Sequence, residues 1–427
     1  MSTNPAAESA VEQAGPAVPL PADLADERLI QHAGLGGWWS AFVNRIRGGD
    51  LGSMPVVVGL ILISLFFFLQ QPKFLSSFSL VSLTRFAAPL GIISLGIVLV
   101  LLLGEIDLSV GSVSGLASVV TAVQLVRHDQ SLIVALLAGI VTGVAIGALY
   151  SVLFVKLGVP SFVITLAGLL GFQGLLLYVL GSQGTLNLPT DSGLVKFASG
   201  YVSGPMSYVL AALVVVLFVG SRLVGIRRRT SAGLSAPSVL GLLVKGGALA
   251  IGLLFLTWYL QQGTGRGWSY LWILFTFLVV LMDVALRKTT WGRHVFAVGG
   301  NEEAARRAGI KVSRIYTSVF VLCSTLASIG GLLAAARLTS VSQSSGTGDT
   351  NLTAIAAAVI GGTSLFGGRG SAYSAMLGII VLQAIITGLN LLGVDSSVRF
   401  MVTGAVLLLA VAIDSVARRA RSSSGRG

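Results

Sequence analysis

Apolar stretches close to the length of a membrane-spanning helix recur along the chain from Met54 onward. An α-helix needs about 20 consecutive apolar residues to cross the hydrocarbon core of a bilayer. The stretches that approach this length lie at 54–70, 86–104, 108–126, 131–155, 161–181, 205–224, 239–260, 268–286, 315–336, 352–367, 371–393 and 397–415. Those at 108–126 and 352–367 are weak or short, which leaves ten or eleven spans as the alternative. The pattern predicts an all-α, polytopic transmembrane helical bundle of about 12 spans (10–12).

The composition excludes a water-soluble domain. Charged residues make up 10% of the chain, against about 25% in ordinary soluble domains. Hydrophobic residues make up 54%, and the mean hydropathy is +0.89. The row Gly139, Gly143 and Gly147 places small residues on one helix face, which indicates close helix packing and not chemistry.

The positive charges are distributed unevenly between the two sides of the predicted membrane. The net charge is +12, from 28 Lys and Arg residues. If the N-terminus is inside and twelve spans follow, the inside holds 20 of the 28, counting Arg222 at the inner end of its span, outside segments hold seven, and Lys245 lies within a span. Inside loops of membrane proteins carry the excess of Lys and Arg. This bias predicts a multi-pass protein of the plasma (inner) membrane with both termini cytoplasmic, and it accounts for the basic charge without a nucleic-acid partner.

The domain organisation follows from the same pattern. Residues 1–52 are rich in Ala, Pro and Glu, with no apolar run, and we expect a disordered cytoplasmic tail. Residues 53–416 form the transmembrane domain, and residues 417–427 form a basic cytoplasmic tail.

The longest charged segment between spans, 287–314, carries helix-capping residues. Asn301 is a good N-cap, Glu302 and Glu303 suit the first turn, and Gly309 suits the C-terminal stop. A plain surface turn is the alternative. Because a mobile linker does not need caps at both ends, the segment predicts a short docking helix on the inside.

Two Gly-rich breaks interrupt apolar sequence, at 104–112 and at 361–371, one in each half of the chain. Paired broken helices in two pseudo-repeated halves are the best sequence indication of a transport pathway. The alternative is a tight turn between spans, in which Asp107 only caps the following helix.

Several kinds of catalytic and cofactor site are absent from the sequence. A phosphate-binding loop requires Lys after its second Gly, but Gly368 follows the nearest match, 362–367. The single cysteine, Cys323, and three His residues far apart in sequence predict neither a disulfide nor a metal site. We therefore expect no cofactor and no ATP hydrolysis in this chain.

Four strings in the sequence, 104–112, 298–310, 354–370 and 388–395, resemble the ribose/xylose/arabinose-type permeases of binding-protein-dependent ABC importers. The resemblance extends from about residue 80 to residue 415. It implies a transport subunit, not an enzyme, that works with an ATP-binding cassette ATPase subunit, an extracytoplasmic sugar-binding protein and a second copy of itself in the lipid bilayer. It also implies that the loop 287–314 docks onto the ATPase as a coupling helix.

Two sets of residues are predicted to carry the function. The substrate pathway is expected at Asp107, Ser109, Gly111, Gly361, Gly362, Thr363, Ser364 and Asn390. Coupling to the ATPase is expected at Asn301, Glu302, Glu303, Ala304, Ala305, Arg306 and Gly309.

The chain departs from the ribose-type pattern in two places. Residues 182–262 are longer and resemble the xylose branch, which favours a pentose, D-xylose first, as the imported monosaccharide. Glu105 stands where the resembling permeases carry Gly. The alternative function is a secondary, ion-coupled carrier of a small polar solute. Against it, few ionisable residues fall within the predicted spans.

Overall fold

The computed structural model describes residues 54–234, 236–262, 266–347 and 349–423, and the predicted tail 1–52 lies outside them. This part of the chain is mostly helical. Its α-helices are α1 Met54–Gln70, α2 Ser77–Leu102, α3 Val110–Val126, α4 Leu132–Leu157, α5 Ser161–Leu180, α6 Gly193–Ser199, α7 Gly204–Ser231, α8 Val239–Gln261, α9 Tyr270–Lys288, α10 Thr290–Gly300, α11 Glu302–Arg307, α12 Val312–Leu338, α13 Asp349–Ile360, α14 Ala372–Leu391 and α15 Ser396–Ser423.

A short 3₁₀ helix, Pro72–Leu75, and two short strands accompany the helices. The strands, β1 Thr185–Asn187 and β2 Ser340–Ser342, pair antiparallel, with Leu186 opposite Val341.

Eight helices in the described residues are long and apolar enough to cross a membrane: α2, α4, α5, α7, α8, α9, α12 and α14. The apolar helices α1, α3 and α13 are shorter. The chain therefore folds as a helical membrane protein, as expected, whereas the count of twelve spans and the relation between the two halves stay predictions.

The core is built around α2 and α12, which are buried along most of their length. Helix α12 packs against α4, α2 and α3, and α14 packs against α2 and α13. A helix that is apolar all round is typical of such an interior position. The Gly row on α4 has the expected packing role, because a Cβ at Gly143 would lie 2.5 Å from the Ser324 carbonyl oxygen of α12.

The chain divides into two compact units. Of the described residues, 208–256 belong to the first unit, which holds most of α7 and α8. Residues 54–207 and 257–423 belong to the second. All the candidate site residues lie in the second unit.

The structure differs from the predicted elements in three places. The predicted span 352–367 ends as a helix at Ile360, because Gly361 and Gly362 begin a turn in which Gly362 has a φ of +100°. The loop 287–314 contains α10 as well as the predicted short helix. Helix α15 continues to Ser423, into the segment predicted as a basic tail.

Candidate functional site

Three glycine-containing segments that are distant in sequence meet at the end of α2. They are Leu102–Gly104, Gly299–Gly300 at the end of α10, and Gly367–Gly368, and we call their meeting point the glycine junction. The Gly368 N–H donates to the Leu102 carbonyl oxygen at 2.9 Å. A Cβ on Gly299 would lie 1.7 Å from that same oxygen, and a Cβ on Gly367 would lie 2.6 Å from the Gly299 carbonyl oxygen. The junction is thus a contact of backbone on backbone that leaves no room for a side chain at Gly299 or Gly367.

The junction joins three of the strings that the sequence singles out. Gly104 opens the first Gly-rich break, Gly299 belongs to the string at 298–310, and Gly367 and Gly368 belong to the second break. The backbone at Gly104, Gly367 and Gly368 has φ of +81°, +83° and +69°, a region that side chains disfavour. The positive φ angles and the close backbone contacts therefore both favour glycine at the junction.

Helix α11 has the predicted cap at each end. The Asn301 side chain accepts a hydrogen bond from the Ala304 N–H at 2.9 Å. Arg306 contacts Glu302 at 2.5 Å and Glu303 at 2.9 Å. The chain leaves the helix through Gly309, which has a φ of +82°. Ala305 is buried, while Ala304 and Arg306 are exposed, so one face of this short helix is open to a partner.

Two carboxylates lie near the glycine junction, Glu105 beside Gly104 and Glu302 at the start of α11. Glu105 Oε2 accepts a hydrogen bond from the Ser161 hydroxyl of α5. Glu302 Oε2 accepts one from the Tyr316 hydroxyl of α12 at 3.1 Å. Burial, and to a lesser extent the charge of Glu302, raises the pKa of Glu105, while the Ser161 hydrogen bond lowers it. Burial is therefore the main cause of the raised pKa of Glu105.

Asp107 is 1% exposed and is held entirely by hydrogen bonds. Its Oδ1 accepts from the backbone N–H and the hydroxyl of Ser109, at 2.8 and 2.7 Å. Its Oδ2 lies 3.7 Å from the Cys323 Sγ of α12, and the Tyr150 hydroxyl donates to Ser109 Oγ at 2.6 Å. Asp107 therefore fixes the turn that leads into α3 and also ties this turn to α12.

We expect Asp107→Ala and Asp107→Asn to separate this structural role from the predicted role in transport. Alanine removes both acceptors and leaves buried donors unpaired, at a cost of about 1–3 kcal/mol in the free energy of unfolding. Asparagine keeps Oδ1, so the protein should insert and stay near wild-type stability while its transport activity falls. Thermal unfolding in detergent and uptake in vesicles measure the two effects. Normal uptake by Asp107→Asn would leave only the structural role.

The N-terminal ends of α3 and α13 meet. The Gly111 N–H donates to the Asn351 Oδ1 of α13. A Cβ on Gly111 would lie 2.3 Å from the Gly346 carbonyl oxygen, and one on Gly115 would lie 2.1 Å from that of Ser345. At 1.5 Å per residue, the 12 residues of α13 extend about 18 Å, well short of the ~30 Å hydrocarbon core. Helix α13 is thus a partial helix whose first turn is held against α3.

The remaining predicted pathway residues lie in two separate places. Gly361 packs on α14, because its Cβ would lie 1.8 Å from the Ser374 carbonyl oxygen. Thr363 is buried, and the Ser364 N–H donates to the Arg369 carbonyl at 3.0 Å. Asn390, near the other end of α14, is exposed and accepts from Arg399. The structure therefore places Asp107, Ser109 and Gly111 together and leaves Asn390 apart from both breaks.

Sequence reasoning missed four residues that complete these contacts: Asn351, Ser161, Tyr316 and Tyr150. Each carries a polar group within or at the start of an apolar helix. A polar residue in an apolar helix is not a specific signal, because nothing local identifies its partner, which here lies 14 to 240 residues away. Among the described residues, no group of three or more His, Cys, Asp and Glu side chains could hold a metal ion.

Comparison with known proteins assigns the chain to a family. Residues 79–411 match the family described as branched-chain amino acid transport system / permease component. The chain belongs to this permease family. The match spans α2 to α15 and so includes the glycine junction, α11 and the meeting of α3 with α13.

The permease is also similar to individual proteins along most of its length. It is 35% identical over 375 residues to the xylose transport system permease protein XylH of Escherichia coli (strain K12), which covers 88% of this chain and 94% of that protein. For the ribose import permease protein RbsC of Bacillus subtilis (strain 168), the identity is 30% over 367 residues, 86% of this chain and 94% of that protein. No solved structure gives a significant match.

These similarities confirm the resemblance to ribose/xylose-type permeases predicted from the four strings. They also confirm that the chain is a transport subunit and not an enzyme, since its relatives are permease subunits.

Proposed function

We propose that this permease is the membrane subunit of an ABC importer that moves a monosaccharide, a pentose with D-xylose favoured, into the cytoplasm. The observation that carries the proposal is the 35% identity to a xylose transport permease over 94% of that protein's length. The ribose import permeases among its relatives support a sugar as the substrate class.

The proposal includes three partners. A separate ATPase subunit docks on α11, an extracytoplasmic sugar-binding protein delivers the substrate, and a second copy of the permease completes the pathway. The exposed face of α11, held by caps at both ends, supports its role as the dock.

Helix α11, the proposed ATPase dock, is connected to the two Gly-rich breaks of the proposed pathway through backbone contacts at the glycine junction. Helix α11 follows α10 at Asn301, and α10 ends in the Gly299–Gly300 part of the glycine junction. The junction in turn touches the C-terminal end of α2 and both Gly-rich breaks. A displacement of α11 by ATP binding or hydrolysis would therefore reach both breaks through contacts that contain no flexible side chain.

Reconstitution tests the proposed function. The permease is placed in proteoliposomes with its ATPase and binding protein, and uptake of labelled D-xylose is measured against D-ribose and L-arabinose as competitors. We expect uptake that needs ATP and survives collapse of the proton gradient. Uptake that needs the gradient and no ATPase would instead identify an ion-coupled carrier, and preference for another sugar would correct the substrate.

We expect Gly309→Val to uncouple the importer while Gly309→Asn does not. A Cβ at Gly309 meets nothing within 4 Å, so size is no obstacle there. The φ of +82° is the obstacle, because a β-branched residue strongly disfavours it, whereas Asn tolerates it. The Val variant should insert normally yet lose sugar-stimulated ATPase activity. Equal activity of the Val and Asn variants would show that the backbone at residue 309 does not matter for coupling.

The Lys and Arg bias predicts that both termini lie in the cytoplasm. With Cys323 replaced by Ser, a cysteine introduced near residue 420 should react with an impermeant thiol reagent only after the cells are opened. Labelling in intact cells would reverse the proposed threading.

A further inference from the structure

Three arginine side chains gather toward the N-terminal end of α2, away from the glycine junction. They are Arg85 of α2, Arg337 in the last turn of α12 and Arg266 in the segment before α9, and we call them the arginine cluster. The guanidinium carbon of Arg337 lies 4.3 Å from the centre of the ring of Phe86, the neighbour of Arg85 in the chain. The guanidinium carbons of Arg85 and Arg266 lie 6.0 and 5.1 Å from the centre of the same Tyr201 ring. Two aromatic rings thus bring three cations into one place.

Backbone contacts hold the residues of the cluster in position. Tyr201 forms an antiparallel bridge with Ser269, which brings the segment that carries Arg266 beside it. The Arg85 Nε donates to the Ala198 carbonyl oxygen at 3.2 Å. The cluster is therefore part of the folded framework and not a chance meeting of long side chains.

The chain supplies no carboxylate to balance Arg85 and Arg337. Within the described residues, the ion pairs lie at 283–287 and 302–306, and neither arginine takes part in one. The Arg337 Nε is buried and has no hydrogen-bond partner. No Asp or Glu occurs in α2, in α12 or in residues 192–282, which carry Tyr201 and Arg266. Since partly buried charges are stable when they are paired, the cluster is suited to an anion from outside the chain.

The arginine cluster and the proposed ATPase dock lie toward opposite ends of the same two helices. Along α2, Arg85 is about 26 Å from Leu102 of the glycine junction, at 1.5 Å per residue. Along α12, Arg337 is about 38 Å from Val312, where the helix begins after α11. These lengths are comparable to the ~30 Å hydrocarbon core. If α11 faces the cytoplasm, the cluster therefore faces the side from which a binding protein arrives.

The position of the cluster favours a protein carboxylate over a lipid phosphate. The helices α2 and α12 are interior helices, buried along most of their length. Lipid headgroups surround the peripheral helices, whereas the ends of interior helices lie beneath the water-facing surface of the bundle. The predicted threading leaves only seven Lys and Arg residues outside, and three of them are in this cluster. Such a local excess runs against the usual charge bias of membrane proteins and calls for a specific partner.

We propose that the arginine cluster is the docking surface for the sugar-binding protein and binds acidic side chains of that protein. This inference rests on the proposed function, in which such a protein delivers the sugar. The planar guanidinium group can donate two parallel hydrogen bonds to one carboxylate. Because the rings of Phe86 and Tyr201 already hold the arginines, little side-chain freedom is lost on binding.

Affinity measurements on the complete importer test the proposal. The importer is placed in phosphatidylcholine nanodiscs with its ATPase, and binding of the D-xylose-loaded binding protein is measured at about 0.15 M and about 0.5 M salt. For Arg85→Gln/Arg337→Gln we expect a Kd about tenfold or more above that of the wild type at the lower salt. Raising the salt should weaken binding to the wild type more than binding to the double variant.

Lys73→Gln is the matched control for charge. Lys73 is exposed in the 3₁₀ helix at the start of α2 and lies on the same side in the predicted threading. Its loss should change the Kd less than about twofold, as expected for an exposed charge outside the contact. Equal effects of Lys73→Gln and the double variant would show that only net charge matters, and would overturn the proposal.

Two further variants separate docking from folding. Arg266 is exposed, so Arg266→Gln should keep the wild-type unfolding temperature in detergent and still raise the Kd about two- to fivefold. Arg85→Lys/Arg337→Lys keeps both charges without the planar fork and should recover part of the affinity lost in the Gln variant. Wild-type affinity of both Arg266→Gln and the Arg85→Gln/Arg337→Gln variant contradicts the proposal.

Lipid composition separates the binding protein from the bilayer as the source of the anion. The wild type and the double Gln variant are compared in nanodiscs with and without phosphatidylglycerol. If the substitutions change only the response to phosphatidylglycerol and leave the Kd for the binding protein unchanged, the cluster binds lipid phosphate and the proposal fails. If the wild-type importer neither binds the protein nor needs ATP, the proposed function fails first.

Discussion

Gly299→Ala should abolish transport and strongly destabilise the permease. The added Cβ would lie 1.7 Å from the Leu102 carbonyl oxygen and 3.0 Å from the Gly368 nitrogen. Both neighbours are backbone atoms, and they are hydrogen-bonded to each other at 2.9 Å. Neither can rotate away, so the three segments must separate. We expect a loss of about 3 kcal/mol or more in the free energy of unfolding, the upper end for overpacked sites.

Gly300→Ala is the matched control for this prediction. It adds the same methyl group one residue later in the same helix, where a Cβ meets nothing within 4 Å. Since Ala is a better helix former than Gly by about 0.5–1 kcal/mol, the variant should be at least as stable as the wild type. Thermal unfolding in detergent and ATP-dependent uptake compare the pair. Similar behaviour of the two variants would show that the glycine junction is not closely packed.

Asn351→Leu should cost about 1–3 kcal/mol in the free energy of unfolding and reduce uptake strongly. The first N–H groups of a helix have no partner within the helix, and Asn351 supplies an acceptor for that of Gly111. Asn351 is 6% exposed, so no water replaces the lost acceptor at low cost. Leucine has the same number and branching of side-chain heavy atoms but leaves the Gly111 N–H buried and unpaired.

Asn187→Leu, on the exposed side of β1, is the matched substitution for Asn351→Leu. It should change the unfolding free energy by less than about 0.5 kcal/mol, as surface substitutions usually do. A second variant, Asn351→Asp, keeps an acceptor oxygen between two helix N-termini, where negative charge is favourable. It should recover part of the lost stability. Failure of Asp to do better than Leu would mean that the shape of Asn351, and not its acceptor, matters.

The helices were predictable because apolar length and capping residues are local signals. Asn301 caps α11 and Gly309 ends it, both as the sequence indicated. By contrast, hydropathy alone extended the predicted span at 352–367 past Ile360. The terminating signal, the left-handed backbone at Gly362, is visible in sequence only as one more glycine among many.

The site was only partly predictable, since its contacts join residues that are far apart in the chain. The sequence marked Gly104, Gly299 and Gly367 as parts of separate strings, but nothing local shows that these strings touch. Asn351 and Gly111 are 240 residues apart and are brought together only by the packing of α3 and α13. Asp107 was predicted from the sequence because it lies in a Gly-rich break with few other ionisable residues nearby, and its role in transport stays a prediction.

The lack of side chains at Gly299, Gly367 and Gly368 determines how far the glycine junction can deform. A displaced side chain can change rotamer and absorb an ångström of movement, whereas two backbones in van der Waals contact have no such freedom. The junction thus behaves as a stiff joint between α10, α2 and the turn after α13. We therefore expect a movement imposed on α10 to reach α2 and the turn after α13 with little loss of amplitude.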